Sequence, residues 1–241
     1  MTALHVEKLT VRYGGVVPLD DVTLEIDKGT WGLIGPNGAG KTTFFNVLSG
    51  FARPTSGSIT SFGHDLLTMA PHRRARWGIR RTFQTEQTIR ELTVLDNVVM
   101  GHEHATRRRR GRDGVVAEAL DFVGLGDAGH VVVGSLDAYQ RRLVELARAL
   151  VGSPRLVLLD EPAAGLPDDE TARLSELIKR VPERYDAAVI LVDHDMSLVS
   201  ACCAQIAVLD FGKLIASGPA KQVLSDPRVL SAYLGEGAVA P

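Results

Sequence analysis

The chain opens on alternation. In HVEKLTVRY (residues 5–13) and again in VTLEI (22–26), apolar and polar side chains succeed one another with a period of two. That is the pattern of strands with one buried face and one wet face. The turn-forming stretch GGVVP (14–18) lies between them. WGLIG (31–35) differs: it is short, apolar and closed by glycine, as expected of a strand buried on both faces. TTFFNVLSG (42–50) has helical spacing, with Gly50 where a C-terminal stop belongs. GSIT (57–60) predicts another short strand. From His72 to Val151 the pattern predicts mainly helix, broken by a loop at RRRRGRDG (107–114). RLVLLD (155–160) and AAVILVD (187–193) predict compact buried strands, separated by an amphipathic helix in ETARLSELIKRV (170–181). QIAVLDFGKLIASG (205–218) predicts a hairpin turning at Phe211-Gly212. Strands alternating with helices indicate an α/β fold with a largely parallel sheet. The antiparallel signals at both ends predict a flanking β layer.

Composition narrows the class without changing that picture. The 241 residues allow one large domain or two small ones, with ample material for a core. A net charge of −2 gives no whole-chain bias toward nucleic acid or membrane surfaces. The only cysteines, Cys202 and Cys203, are adjacent, a spacing that suits neither a disulfide framework nor a metal site. They are expected to be buried packing residues in a reduced, cytosolic protein. The start, MTALHVEKL, carries no signal-peptide pattern, and the longest uncharged stretch, 196–209, is too short and polar to cross a bilayer. The basic run from Arg107 to Arg112 reads as a solvated loop, with contact to anionic lipid headgroups as the sharper alternative. No aromatic residue interleaves the arginines, so nucleic acid is not expected as a partner.

The chemistry sits at strand ends. Gly35-Pro36-Asn37-Gly38-Ala39-Gly40-Lys41-Thr42 fits G-x-x-x-x-G-K-[ST] between a predicted strand and a predicted helix, the context a phosphate-binding loop requires. Its glycines let backbone N–H groups converge on one anion, and the following helix, opening through Thr43, adds its positive end. Lys41 can reach the β- and γ-phosphates of ATP, and the Thr42 hydroxyl can ligate Mg²⁺. Asp160 and Glu161 end a second apolar strand, where ligands of open α/β sheets bind. Asp160 is expected to hold Mg²⁺ and Glu161 to polarise the attacking water. His194 follows the third apolar strand and can bond the γ-phosphate. Gln84 can bridge metal and water, and Tyr13 offers a ring for stacking on a purine.

With these residues in hand, the chain resembles the ATP-binding subunit of ABC transporters along nearly its whole length. Within that superfamily it is most similar to the subunits of branched-chain amino acid importers. The residues that carry the resemblance are Arg81-Thr-Phe-Gln84, Leu92-Thr-Val-Leu-Asp-Asn97, Asp160-Glu-Pro-Ala-Ala-Gly-Leu166, His194-Asp-Met196 and the ending 227–235 with AYLG. The resemblance implies a P-loop NTPase fold: a RecA-like mixed, largely parallel sheet, an antiparallel β subdomain and a helical subdomain. It implies one nucleotide-binding domain over 1–241, with 1–85 and 153–241 as ATP-binding core and 86–152 as helical subdomain. It also implies Tyr13 as the adenine-stacking aromatic, Gln84 as sensor and His194 as switch. Two ATPs would lie in a two-subunit sandwich, at the cytoplasmic face of the membrane. Permease subunits would be direct partners and a solute-binding protein an indirect one.

The chain departs from the family in its signature segment. Leu-Ser-Gly-Gly-Gln is expected, and Leu136-Asp137-Ala138-Tyr139-Gln140 stands there. A carboxylate at Asp137 would repel a γ-phosphate by up to about 4 kcal/mol at 4 Å, and Tyr139 replaces a glycine. The segment is therefore expected to make a poor composite site, which favours a heterodimer with one strong and one weak site. A weakly active homodimer is the alternative. Pro167 also stands where Asp or Asn is usual. The rival to transport is a soluble ATPase of the same superfamily acting on other complexes. Such proteins usually carry tandem motifs or a long coiled coil, and neither is visible here.

Overall fold

The computed structural model describes residues 2–105 and 112–234. The basic run at 107–112 lies outside these, apart from the backbone of Arg112, and so does Gly235.

The alternating segments form β1 (Thr2–Tyr13) and β2 (Val16–Asp27), paired antiparallel. With β4 (Ser56–Ser61) and the two-residue β5 (His64–Asp65) they make a four-stranded antiparallel sheet ordered β2-β1-β4-β5. The apolar runs form β3 (Thr30–Ile34), β7 (Leu156–Asp160) and β8 (Ala188–Val192), and every residue of all three is buried. They pair in parallel at the centre of a six-stranded sheet ordered β10-β9-β3-β8-β7-β6. Its remaining strands are β6 (Ile79–Arg81), β9 (Gln205–Asp210) and β10 (Lys213–Pro219).

Side chains that alternate along the central strands feed two cores. Leu156, Leu158, Ala188 and Ile190 face the antiparallel sheet and helix α1 (Lys41–Ser49), whose Phe44 and Phe45 are fully buried there. Val157, Leu159, Val189 and Leu191 face the opposite helices. These are α3 (Val94–Ala105), α4 (Arg112–Val123), α5 (Ala138–Leu150), α6 (Asp168–Tyr185) and α7 (Met196–Cys202). Such two-faced burial explains why these strands read as continuous apolar runs. The described residues also form short helices α2 (Pro71–Trp77), α8 (Ala220–Val223) and α9 (Pro227–Leu234).

The structure revises two expectations. The stretch from His72 to Val151 holds an edge strand, β6, parallel to β7. Three residues beginning with one isoleucine and two arginines are too short for a periodicity signal. The C-terminal hairpin turns at Phe211-Gly212 as expected, both with positive φ. It does not join the flanking layer, however: β9 pairs in parallel with β3 and extends the central sheet. Hydrophobic pattern defines a strand but not which neighbour it pairs with. Among the described residues no helix is long and apolar enough to cross a membrane.

Candidate functional site

Because β3, β8 and β7 are neighbours running in one direction, their C-terminal ends lie side by side. The loop after β3 carries residues 35–40, β7 ends in Asp160 and β8 leads to Asp193. Gly35 (φ +149) and Gly40 (φ +107) shape the loop. A Cβ on Gly35 would stand 2.0 Å from the Leu209 carbonyl oxygen, and one on Gly40 would stand 2.3 Å from that of Pro18. The loop is thus clamped between β9 and β2 where only glycine fits. Gly40 is also the N-cap of α1, and Asn37, Gly38 and Thr42 are exposed around the helix start. Lys41 is buried, its Nζ donating to the carbonyls of Gly35 (2.5 Å) and Pro36 (2.9 Å). Burial lowers its pKa from the usual lysine value, opposed by the nearby charges of Glu161 and Asp160.

Glu161 adopts φ +49, in the left-handed region that is costly for a side-chain-bearing residue. Its backbone amide donates to Val192 O on the neighbouring strand (2.7 Å). Its carboxylate gathers the other two polar candidates: Gln84 Nε2 donates to Oε2 (2.9 Å), and His194 Nε2 stands 3.1 Å from Oε1. Three residues 77 and 33 positions apart thereby form one cluster. Gln84 uses its amide nitrogen on Glu161, which leaves its carbonyl oxygen for a cation. With the Thr42 hydroxyl and the Asp160 carboxylate, that makes a set of hard oxygen donors suited to Mg²⁺ shared with phosphates. Among the described residues no group of His, Cys, Asp or Glu forms an all-protein metal cage.

The structure adds residues that sequence reasoning missed. Arg81, on β6, donates from Nη2 to Asp160 Oδ2 (2.8 Å) and from Nη1 to Asn46 Oδ1 on α1 (2.7 Å). Asp193 is buried. One carboxylate oxygen accepts from the Asp195 amide (2.9 Å) and the other from the Ala163 amide (3.3 Å), joining the loops after β7 and β8. Burial raises its pKa against these bonds. The signal for Asp193 lay in its place directly after an apolar strand. Arg81 opens the run that carries the resemblance around Gln84, but no local pattern points to its contact with Asp160, since an arginine in an RR pair reads as surface.

The signature segment lies at the start of α5. Asp137 is its N-cap: the carboxylate accepts from the Gln140 amide (2.7 Å), and the Gln140 side chain accepts from the Asp137 amide (3.3 Å). This reciprocal capping box assigns 137–140 to the first turn of the helix. Tyr139, the residue after Ala138, packs under Arg173 of α6, with the guanidinium carbon 4.8 Å from the ring centre. The bonds and ring contacts of this segment run to α5 and α6 rather than to the phosphate loop. Tyr13, at the end of β1, is 54% exposed and available for stacking.

Two hollows flank β6. One, of about 350 Å³, is lined by Phe51, His72, Ala75 and Ile79, and the other, of about 170 Å³, by Gln87, Gly101, Glu145 and Arg148. Arg80, Arg81 and Phe83 line both.

Comparison with known proteins agrees with this geometry. Residues 19–164 match the ABC transporter family model, and residues 213–239 match that of the branched-chain amino acid ATP-binding cassette transporter. The chain is 37% identical to the high-affinity branched-chain amino acid transport ATP-binding protein BraF of Pseudomonas aeruginosa, over 97% of this chain and 98% of that protein. It is 35% identical to LivG of Salmonella typhimurium, with the same description and coverage. Among solved structures, the ADP conformation of MJ1267, an ATP-binding cassette of an ABC transporter, superposes with a TM-score of 0.88 at 28% identity, covering 98% of this chain and all of that one. A nucleotide-free cassette from an ABC transporter gives 0.87 at the same identity and coverage. The chain therefore belongs to the ATP-binding cassette ATPases of ABC transporters, alongside the branched-chain amino acid transport ATP-binding proteins.

Proposed function

We propose that this ATPase subunit powers an importer of branched-chain amino acids or similar small polar solutes. One observation carries the catalytic part: the phosphate loop, Asp160 and the Glu161–Gln84–His194 cluster converge at the ends of three adjacent parallel strands. The loop amides and the start of α1 receive the β- and γ-phosphates of ATP. Lys41 exchanges its two loop carbonyls for phosphate oxygens. Thr42, Asp160 and Gln84 would hold Mg²⁺, which would neutralise phosphate charge. Glu161 takes the proton of the attacking water, and His194, 3.1 Å from Glu161, orients the γ-phosphate. Tyr13 stacks on adenine.

Residues 1–85 and 153–241 act as the ATP-binding core, and 86–152 as a helical unit that presents 137–140 to a second subunit's nucleotide. The Asp137 charge disfavours that contact, which supports a heterodimer whose partner has an intact signature; a homodimer is the alternative. The larger hollow beside β6, lined by Ala75, Ile79, Phe83 and the exposed Phe51, offers apolar surface suited to a cytoplasmic segment of a permease subunit, and the smaller one adds the polar groups of Gln87, Glu145 and Arg148. Through that permease the chain would sit peripherally at the cytoplasmic face, served indirectly by a solute-binding protein. A soluble ATPase outside transport is not favoured, because the relatives that match along the full chain are transport ATP-binding proteins.

Glu161→Gln tests the catalytic reading, since it keeps shape and removes the base. Hydrolysis is expected to fall at least about 100-fold with ATP affinity retained. Unimpaired turnover would exclude Glu161 from the chemistry. Co-purification with permease subunits tests the transport reading, and a chain that purifies only with ribosomes or nucleic acid contradicts it.

A further inference from the structure

Arg81 joins three parts of the site that the chain places far apart. Its guanidinium bonds Asp160 Oδ2 on β7 (2.8 Å) and Asn46 Oδ1 on α1 (2.7 Å). It also lies against two rings, 5.5 Å from the centre of Phe45 and 4.9 Å from that of Phe83. Both partners of the ion pair are almost wholly enclosed, with the Arg81 side chain 7% and that of Asp160 8% exposed. Its neighbour is a contrast. Arg80 faces the other way and bonds only carbonyl oxygens, those of Ala75, Ile79 and Gly152, and burial lowers its pKa to about 10. Of two consecutive buried guanidiniums, one is therefore directed onto the carboxylate expected to serve Mg²⁺.

We propose that Arg81 is a positioning residue for Asp160, and that its charge sets how strongly nucleotide binding depends on a divalent cation. This rests on the nucleotide-site reading above. One Asp160 oxygen is held by Arg81, which fixes the carboxylate in direction and offsets part of its charge; the other oxygen would be left to serve a cation. A guanidinium charge held on Asp160 and on α1 would favour metal-free ATP, which is more negative than its magnesium complex by the charge of the cation. The same charge weakens the site's attraction for the cation itself. Arg81 thus levels the affinities for free and metal-bound nucleotide. A lysine could supply the charge but not the fork that bonds Asn46 and Asp160 together.

The test is the ratio of dissociation constants for a fluorescent ATP analogue measured in EDTA and in Mg²⁺, with no turnover involved. Arg81→Met is expected to raise that ratio at least about tenfold, by weakening metal-free binding and strengthening Mg²⁺-dependent binding. Arg81→Lys keeps the charge and is expected to stay within about threefold of the wild type. If Arg81→Met does not fold, Asn46→Asp decides. It gives Arg81 a second carboxylate, loosens its hold on Asp160, and is expected to raise the ratio about threefold. A ratio within twofold of the wild type, or lower, alongside a reduced melting temperature would make Arg81 a structural strut and overturn the inference. A wild-type chain that binds no nucleotide in either buffer would instead overturn the nucleotide-site reading, and this inference with it.

Discussion

Replacing Asp137 by serine separates the two things that residue does. In the folded chain its carboxylate caps α5 by accepting from the Gln140 amide at 2.7 Å. Serine caps about as well as aspartate, so Asp137→Ser is expected to change stability by less than about 0.5 kcal/mol. Asp137→Ala removes the cap and is expected to cost about 1 kcal/mol, or some 2–4 °C in melting temperature. The charge has a different consequence. A full carboxylate 4 Å from a partner's γ-phosphate would oppose association by about 4 kcal/mol, and at 8 Å by about 2 kcal/mol. Because the carboxylate faces its own helix N-terminus, which offsets part of its charge, the lower figure is expected. A sandwich of two copies contains this contact twice, so Asp137→Ser should tighten ATP-driven dimerisation roughly 30-fold per site and about 1,000-fold in all. The assay is sedimentation of the chain with ATP, in a Glu161→Gln background so that the nucleotide persists. Raising the salt should shrink the gain, as the charges are screened. If Asp137→Ser folds normally and dimerises no better than its parent at any salt concentration, the carboxylate does not face the partner's phosphate and the argument for asymmetric sites fails.

Three further outcomes follow from the geometry. Gly40→Ala forces a side chain into φ +107 with its Cβ 2.3 Å from Pro18 O, and is expected to lower stability by about 1–3 kcal/mol in thermal melts and to weaken nucleotide binding. Asp195 caps α7 through the Ser197 hydroxyl and amide, bonds that hold its pKa below the ordinary carboxylate value. With the folded pKa depressed, its contribution is present above the unfolded value near 3.9 and is lost as pH falls through the folded value. The melting-temperature gap between wild type and Asp195→Ala should therefore be constant from pH 7 to about 5 and close on further acidification; a gap independent of pH would refute the assignment. Cys202 and Cys203 are buried, with Sγ atoms 3.7 Å apart, and the hydrogen bond with the neighbouring sulfur, together with burial, raises the Cys203 pKa. Neither should react with a thiol reagent in the native protein, and both should react after unfolding.

Much of the site was legible because its parts are local. The phosphate loop is a contiguous run between a strand and a helix, and its glycines stand where a Cβ meets backbone oxygen. Asp160, Glu161 and His194 could be placed because apolar strands end abruptly in polar residues, and in a parallel sheet those ends share one edge. Counting placed the candidate signature segment at 136–140, and the capping box puts Asp137 and Gln140 at the start of α5. Arg81 and β6 were illegible for the opposite reason. Arg81 is buried by groups distant in sequence, Asn46 and Asp160, that no local pattern connects to it.

The order of residues along the chain by itself determined the α/β class, the buried central strands, the phosphate loop and the acids at the end of β7. Each rests on short-range physics: side-chain period, backbone freedom at glycine, and the cost of burying a polar group. Only the tertiary structure decided that the C-terminal hairpin extends the central sheet, that a three-residue edge strand brings an arginine onto Asp160, and that Glu161 gathers Gln84 and His194 around one carboxylate. Those arrangements depend on which strands become neighbours. Strand partners are chosen by the packing of whole faces, a sum over many distant contacts that no single stretch of sequence contains.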